Sequence, residues 1–98
     1  LHGEAVSVGM MGAAYIGEAM GMMTSDMVER QRAVLESFGL PLSCGDVDID
    51  AISEAMRSDK KTSGKAIRWV LLDGIGNAVT RNDVPAELVQ QTLRRLAQ

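Results

Sequence analysis

Cysteine, aromatic residues and cationic excess are all scarce in this sequence. Cys44 is the one cysteine of 98 residues, which excludes an internal disulfide framework and suits a reducing cytoplasm. Tyr15, Phe38 and Trp69 are the only aromatics, so an aromatic-rich β-sandwich core is not available. Ten basic residues against thirteen acidic ones leave a formal charge of −3. General nucleic-acid binding draws its affinity from surplus Lys and Arg, and that surplus is missing here. There is a single histidine, His2, so no multi-histidine metal motif is possible within the chain. An initiator methionine is also lacking. Leu1 followed at once by a Gly- and Met-rich helix reads as a processed or truncated N-terminus.

What the sequence does contain is a large aliphatic fraction. Apolar residues make up 46% of the chain and are mostly Ala, Val, Leu, Ile and Met, a mixture that favours packed helices. The stretch Ala5 to Met23 is nearly all apolar and close to the ~20 residues that span a bilayer. Glu18 inside it, acidic flanks at Glu4 and Asp26, and no bracketing aromatic belt argue instead for a central core helix. It also lacks the charged leading region of a signal peptide. This first helix is predicted from about Glu4 to about Met20, with Gly21 as its stop. Gly9, Gly12 and Gly17 each weaken it by about 1 kcal/mol relative to Ala, and close approach of neighbouring backbones is the expected compensation.

A second helix follows, with Thr24, Ser25 and Asp26 as cap candidates and Met27, Val28, Val34, Leu35 and Phe38 repeating on one face. Gly39-Leu40-Pro41 ends it in the manner of a Schellman stop. Residues 42–47 read as a loop, and Asp48 caps a third helix to about Ser58, with Val47 and Ile52 as a hydrophobic staple. The polar run Arg57 to Lys65 reads as a loop. Ala66 to Leu72 is predicted as a strand, Asp73-Gly74 as a turn with a longer or bulged loop, and Asn77 to Thr80 as the returning strand. Pro85 opens a last helix whose face is Leu88, Val89, Thr92, Leu93 and Leu96. The expected fold class is mainly α: one domain over residues 1–98, with about four helices and one short β-hairpin before the last.

Three groups of residues are candidates for chemistry. His2 is a metal-ligand type, yet a metal needs several convergent ligands, and spacing alone reads it as an ordinary surface residue. Arg57, Lys60, Lys61 and Lys65, beside Ser63-Gly64, suit an anion such as phosphate, although a charge run is ordinarily a solvated loop. Glu18 reads as a satisfied buried acid or an edge residue. The methionines Met10, Met11, Met20, Met22 and Met23 read as adaptable packing. Gly74-Ile75-Gly76 lacks the third glycine and the strand-to-helix setting of a dinucleotide fingerprint.

Taken in order, these segments resemble a known family. Leu1-His2-Gly3-Glu4-Ala5-Val6-Ser7-Val8-Gly9-Met10 is similar to the LHGEAVAIGM-type segment of the 3-dehydroquinate synthases. Phe38-Gly39-Leu40-Pro41, Asp59-Lys60-Lys61, the run Ile67 to Gly76 and Asp83-Val84-Pro85 with Leu88 resemble later segments of that family, in the same order and over essentially the whole chain. The resemblance implies a phosphate-eliminating carbon–oxygen lyase of the shikimate route, turning 3-deoxy-arabino-heptulosonate 7-phosphate into 3-dehydroquinate and phosphate. It implies an N-terminal domain that binds NAD, a C-terminal helical domain carrying much of the zinc and substrate site, and a homodimer in the cytoplasm. By the same resemblance His2 is a zinc ligand and Lys60 contacts substrate through its phosphate. No catalytic residue and no NAD contact is expected within these residues. The NAD domain, the glutamate and the second histidine that complete the zinc site have no counterpart here, so the chain alone is expected to be inactive and to bind zinc weakly.

Two other readings fit the same residues. Related sugar phosphate cyclases, such as 2-deoxy-scyllo-inosose synthase, use the same fold, NAD and metal on other sugar phosphates. A non-catalytic helical interaction module is the alternative of a different class, and it predicts self-association through exposed apolar surface.

Overall fold

The computed structural model describes residues 2–45 and 48–98. Four helices and one hairpin follow in the order α1 (His2–Ala19), α2 (Ser25–Ser37), α3 (Ile49–Ser63), β1 (Trp69–Leu72), β2 (Ala78–Arg81) and α4 (Ala86–Leu96). This is the mainly helical architecture expected, with the hairpin before the last helix.

The helix α1 is the hub: it packs against α2, α4 and β1, whereas α3 touches only α4. Met11, Ala14, Met23, Val28, Leu35 and Leu96 form the buried cluster, with Tyr15, Leu40, Leu42 and Leu72 against its margin. Covering these side chains is what opposes the chain's conformational entropy, at roughly 25 cal/mol per Å² of apolar surface removed from water. The α1 face that carries Ser7, Met11 and Ala14 is buried. Ser7 keeps its hydroxyl satisfied there by donating to the carbonyls of Glu4 (2.9 Å) and Pro41 (2.8 Å). The adjoining flank of the N-terminal half is open, with Val6 46% and Met10 45% exposed, so α1 is central without being enclosed all round.

Each helix end has a local cause. Gly21 N–H donates to the Glu18 carbonyl and Met22 N–H to the Gly17 carbonyl, which closes α1. Thr24 Oγ1 accepts from Met27 N–H at 3.2 Å and starts α2. The expected Schellman stop of α2 is present: Gly39 has φ +71°, its N–H donates to the Glu36 carbonyl, and Leu40 N–H donates to the Leu35 carbonyl. Asp48 Oδ1 accepts from Ala51 N–H at 3.0 Å and caps α3. The proposed partner of Ile52 in a hydrophobic staple, Val47, lies outside the described residues.

Four expectations need correction. The third helix does not stop near Ser58 but runs to Ser63, so Asp59, Lys60 and Lys61 are helical rather than loop. Lysine is a good helix former, and Lys60 and Lys61 in the last turn oppose the negative end of the helix dipole. The effective stop is Gly64, whose left-handed φ of +69° lets its N–H reach the Lys60 carbonyl. The first strand is shorter than 66–72, and the second is shifted by one residue; they pair antiparallel with Trp69 opposite Arg81 and Leu72 opposite Ala78. Of the predicted apolar face of α2, Val28 and Leu35 are buried, but Val34 is 51% and Phe38 77% exposed, because no element packs over that edge. Finally, a Cβ added at Gly9 would meet nothing within 4 Å, so close approach accounts for Gly12 and Gly17 but not for Gly9. No helix is long and apolar enough to cross a membrane among the described residues.

Candidate functional site

His2 stands in the first turn of α1 and is exposed. Successive positions four apart, His2, Val6 and Met10, share one side of the helix. The imidazole forms no hydrogen bond or ion pair among the described residues and therefore keeps a nitrogen lone pair free for an outside partner. A metal would find one such donor here. No group of three or more His, Cys, Asp and Glu residues converges among the described residues. Cys44 is turned to another use, its N–H donating to the Leu96 carbonyl at 2.7 Å and its thiol lying 3.4 Å from the same oxygen. These residues thus fit one ligand of a catalytic metal and not a whole site, which takes about three protein ligands.

Lys60 stands on the last turn of α3, exposed and without an ion-pair partner among the described residues. It lies at the rim of a cleft of about 200 Å³ walled by Met56, Ile67, Trp69, Val84 and Val89. Arg57 is on the same rim but is held by Glu54 at 2.8 Å. On the floor, Gln90 Nε2 donates to Ser53 Oγ at 2.7 Å, which satisfies a serine only 6% exposed. Lys65 and Arg68 line an adjoining hollow, so cations outnumber Asp59 around this edge. The segment is suited to an anion, as its composition indicated, but it presents that charge from a helix end rather than from a loop.

His2 and Lys60 are not brought together within these residues, since α1 and α3 do not touch. Glu18 proves to be an edge residue: its carboxylate lies 3.9 Å from Arg95, whose guanidinium sits 3.7 Å above the Tyr15 ring. The cleft itself escaped the sequence reading. Its signal was Ser53, a polar residue at helical spacing among Ile49, Ile52 and Met56 on the inward side of α3.

The remaining ionic contacts are architectural. Arg32 bridges Glu29 (2.6 Å) and Glu36 (2.8 Å) along α2, and its guanidinium holds the Glu29 carboxyl below the ordinary range. Arg81 Nε donates to Asp83 Oδ1 at 2.7 Å and lowers that carboxyl in the same way, fixing the turn between β2 and α4.

Comparison with known proteins places the chain among relatives. Residues 1–62 match the family described as 3-dehydroquinate synthase C-terminal. A 3-dehydroquinate synthase of a Synechococcus strain is 38% identical over 96 residues, covering 98% of this chain and 26% of the relative. That of Campylobacter concisus is 43% identical over 94 residues, covering 96% of this chain and 27% of the relative. A 2-epi-5-epi-valiolone synthase from Streptomyces hygroscopicus, solved with NAD+ and Zn2+ bound, superposes with a TM-score of 0.83 at 29% identity, over 99% of this chain and 27% of that one. The chain therefore spans about a quarter of the length of the relatives it matches. On the match to more than half of its residues, together with the ordered HGEAV and DKK segments, the chain belongs to the 3-dehydroquinate synthase C-terminal family.

Proposed function

We propose that these residues are the C-terminal helical part of a 3-dehydroquinate synthase, a lyase that converts 3-deoxy-arabino-heptulosonate 7-phosphate into 3-dehydroquinate and phosphate with NAD and zinc. The observation that carries the reading is the ordered likeness to curated synthases over 98% of the chain. In it, an NAD-binding domain and the other zinc ligands come from the portion of the relatives that this chain does not cover.

His2 is the zinc ligand contributed here, offering a neutral imidazole nitrogen from the first turn of α1. Zinc, when bound, would supply a positive centre that polarises a substrate hydroxyl. Lys60 contacts the phosphate: its ammonium is a compact donor with no ion-pair partner among the described residues, and it is placed on a helix rather than a loop. Charged hydrogen bonds of this kind contribute about 1.5–3 kcal/mol. In the full-length protein, phosphate release from the heptulosonate phosphate in the presence of NAD and zinc tests the reaction. Lys60→Gln should lower kcat/KM by about ten- to a hundredfold, as expected for loss of that contact. Release from another sugar phosphate, with none from the heptulosonate, would move the protein to a sister activity, a reading favoured by the likeness to the valiolone synthase. The 98-residue chain on its own should form no dehydroquinate.

A further inference from the structure

The cleft between α3, the hairpin and α4 has a chemistry that a sugar phosphate does not need. Its walls are Met56, Ile67, Trp69, Val84 and Val89, and among the described residues no Asp or Glu lines it. Part of its polar lining is committed: Gln90 Nε2 donates to Ser53 Oγ at 2.7 Å, and Arg57 is paired with Glu54. The Lys60 ammonium and the Asn82 carboxamide also line it, neither with a hydrogen-bond partner for its side chain among the described residues. Among the described residues that line the slot itself Lys60 is the one uncommitted cation, Lys65 and Arg68 lining the adjoining hollow, and this calls for a ligand with an apolar body and one negative charge.

Size and charge narrow the class further. A cleft of about 200 Å³ is below the roughly 300–1,000 Å³ of sites for drug-sized ligands, which leaves room for a single ring. The Trp69 indole and the Met56 thioether both favour an aromatic ring. A carboxylate monoanion matches one ammonium, whereas a phosphate dianion would carry an unneutralised charge against apolar walls. We propose that this cleft is a binding site for a small monocyclic aromatic carboxylate, with the ring against Trp69 and the carboxylate on Lys60. The site rests on the geometry of the cleft and not on the proposed catalytic role of Lys60. An occupant would nevertheless engage the same ammonium and so compete with an anion held there.

The probe is sodium benzoate, read by the fluorine resonance of 5-fluorotryptophan at position 69 in the protein at its full natural length. The resonance is identified by its loss in Trp69→Phe. Benzoate should shift it saturably, benzyl alcohol should bind at least tenfold more weakly, and Lys60→Gln should weaken benzoate at least tenfold. Lys60 is exposed, so that variant keeps the fold, and the unperturbed tryptophan resonance reports it. Val89→Phe, which fills the slot, should abolish the shift. No saturable shift with benzoate, equal affinity for benzyl alcohol, or undiminished binding by Lys60→Gln would each overturn the proposal. None of these readouts depends on turnover, so they remain separable from the fate of the catalytic reading.

Discussion

Gly9 and Gly17 stand just over two turns apart on α1 and answer to different neighbours. A Cβ at Gly9 would project into open space, whereas at Gly17 it would lie 3.3 Å from Met23 Cγ and 3.4 Å from the Leu72 carbonyl oxygen. Gly9→Ala should therefore raise stability by about 1 kcal/mol, the helix-propensity difference, when unfolding of this chain is followed in urea. Gly17→Ala should gain less than Gly9→Ala, because the new methyl would press on Met23 Cγ at 3.3 Å and that side chain must give by a few tenths of an ångström. Gly12 falls between them, since its nearest neighbour at 3.0 Å is the flexible end of Leu96. The three glycines look alike in the sequence because each one's meaning lies in residues distant along the chain. Phe38 is the same case: its helical spacing was legible, but whether anything covers that edge was not.

At the scale of elements, caps and stops were the most legible features, because their chemistry is local. Thr24, Asp48, Gly21 and Gly39 each act as the residue type implies. The end of α3 was misread because a run of charge resembles a solvated loop, while its lysines are compatible with helix and the true stop lies at Gly64. Gly64→Ala places a side chain at φ +69° and should fray the last turn at a cost of roughly 1–2 kcal/mol. Asp48→Ala should cost about 1 kcal/mol through the lost cap. Since α3 packs only on α4, its amides should exchange with solvent faster than those of α1, and either variant should widen the gap. The check is amide hydrogen exchange resolved by residue; equal protection of α1 and α3 would contradict this picture.

The hairpin-to-α4 turn adds a pH dependence. Arg81 lowers the Asp83 carboxyl, and Arg32 lowers that of Glu29, so both favour the folded state when ionised. That contribution is complete above the ordinary carboxyl range and is lost as pH falls through it toward the lowered values. Both pairs are exposed, so the effect is small and salt-sensitive. Asp83→Asn should flatten the acid limb of the melting temperature between neutral pH and pH about 3, and 1 M salt should do much the same.

For the whole molecule, the order of motifs along the chain was legible, and the distance between their functional residues was not. The HGEAV and DKK segments could be read as one family's because local sequence carries them. That α1 and α3 are separated, each bearing one of the two candidate residues, depends on how helices pack around α1. This chain, spanning about a quarter of its relatives, carries the proposed metal donor and the proposed anion contact on different elements, and the remaining partners of both are proposed to come from elsewhere in the parent protein. The most direct test is the zinc content of the full-length protein after gel filtration, measured by mass spectrometry for the parent and for His2→Ala. His2 is exposed in the first turn, so its loss should leave the circular dichroism and NAD binding unchanged. The parent should retain about one zinc per chain and the variant less than roughly a tenth of that, the loss typical of a removed metal ligand. A His2→Ala protein that keeps as much zinc as the parent would contradict the assignment of His2 as a metal ligand.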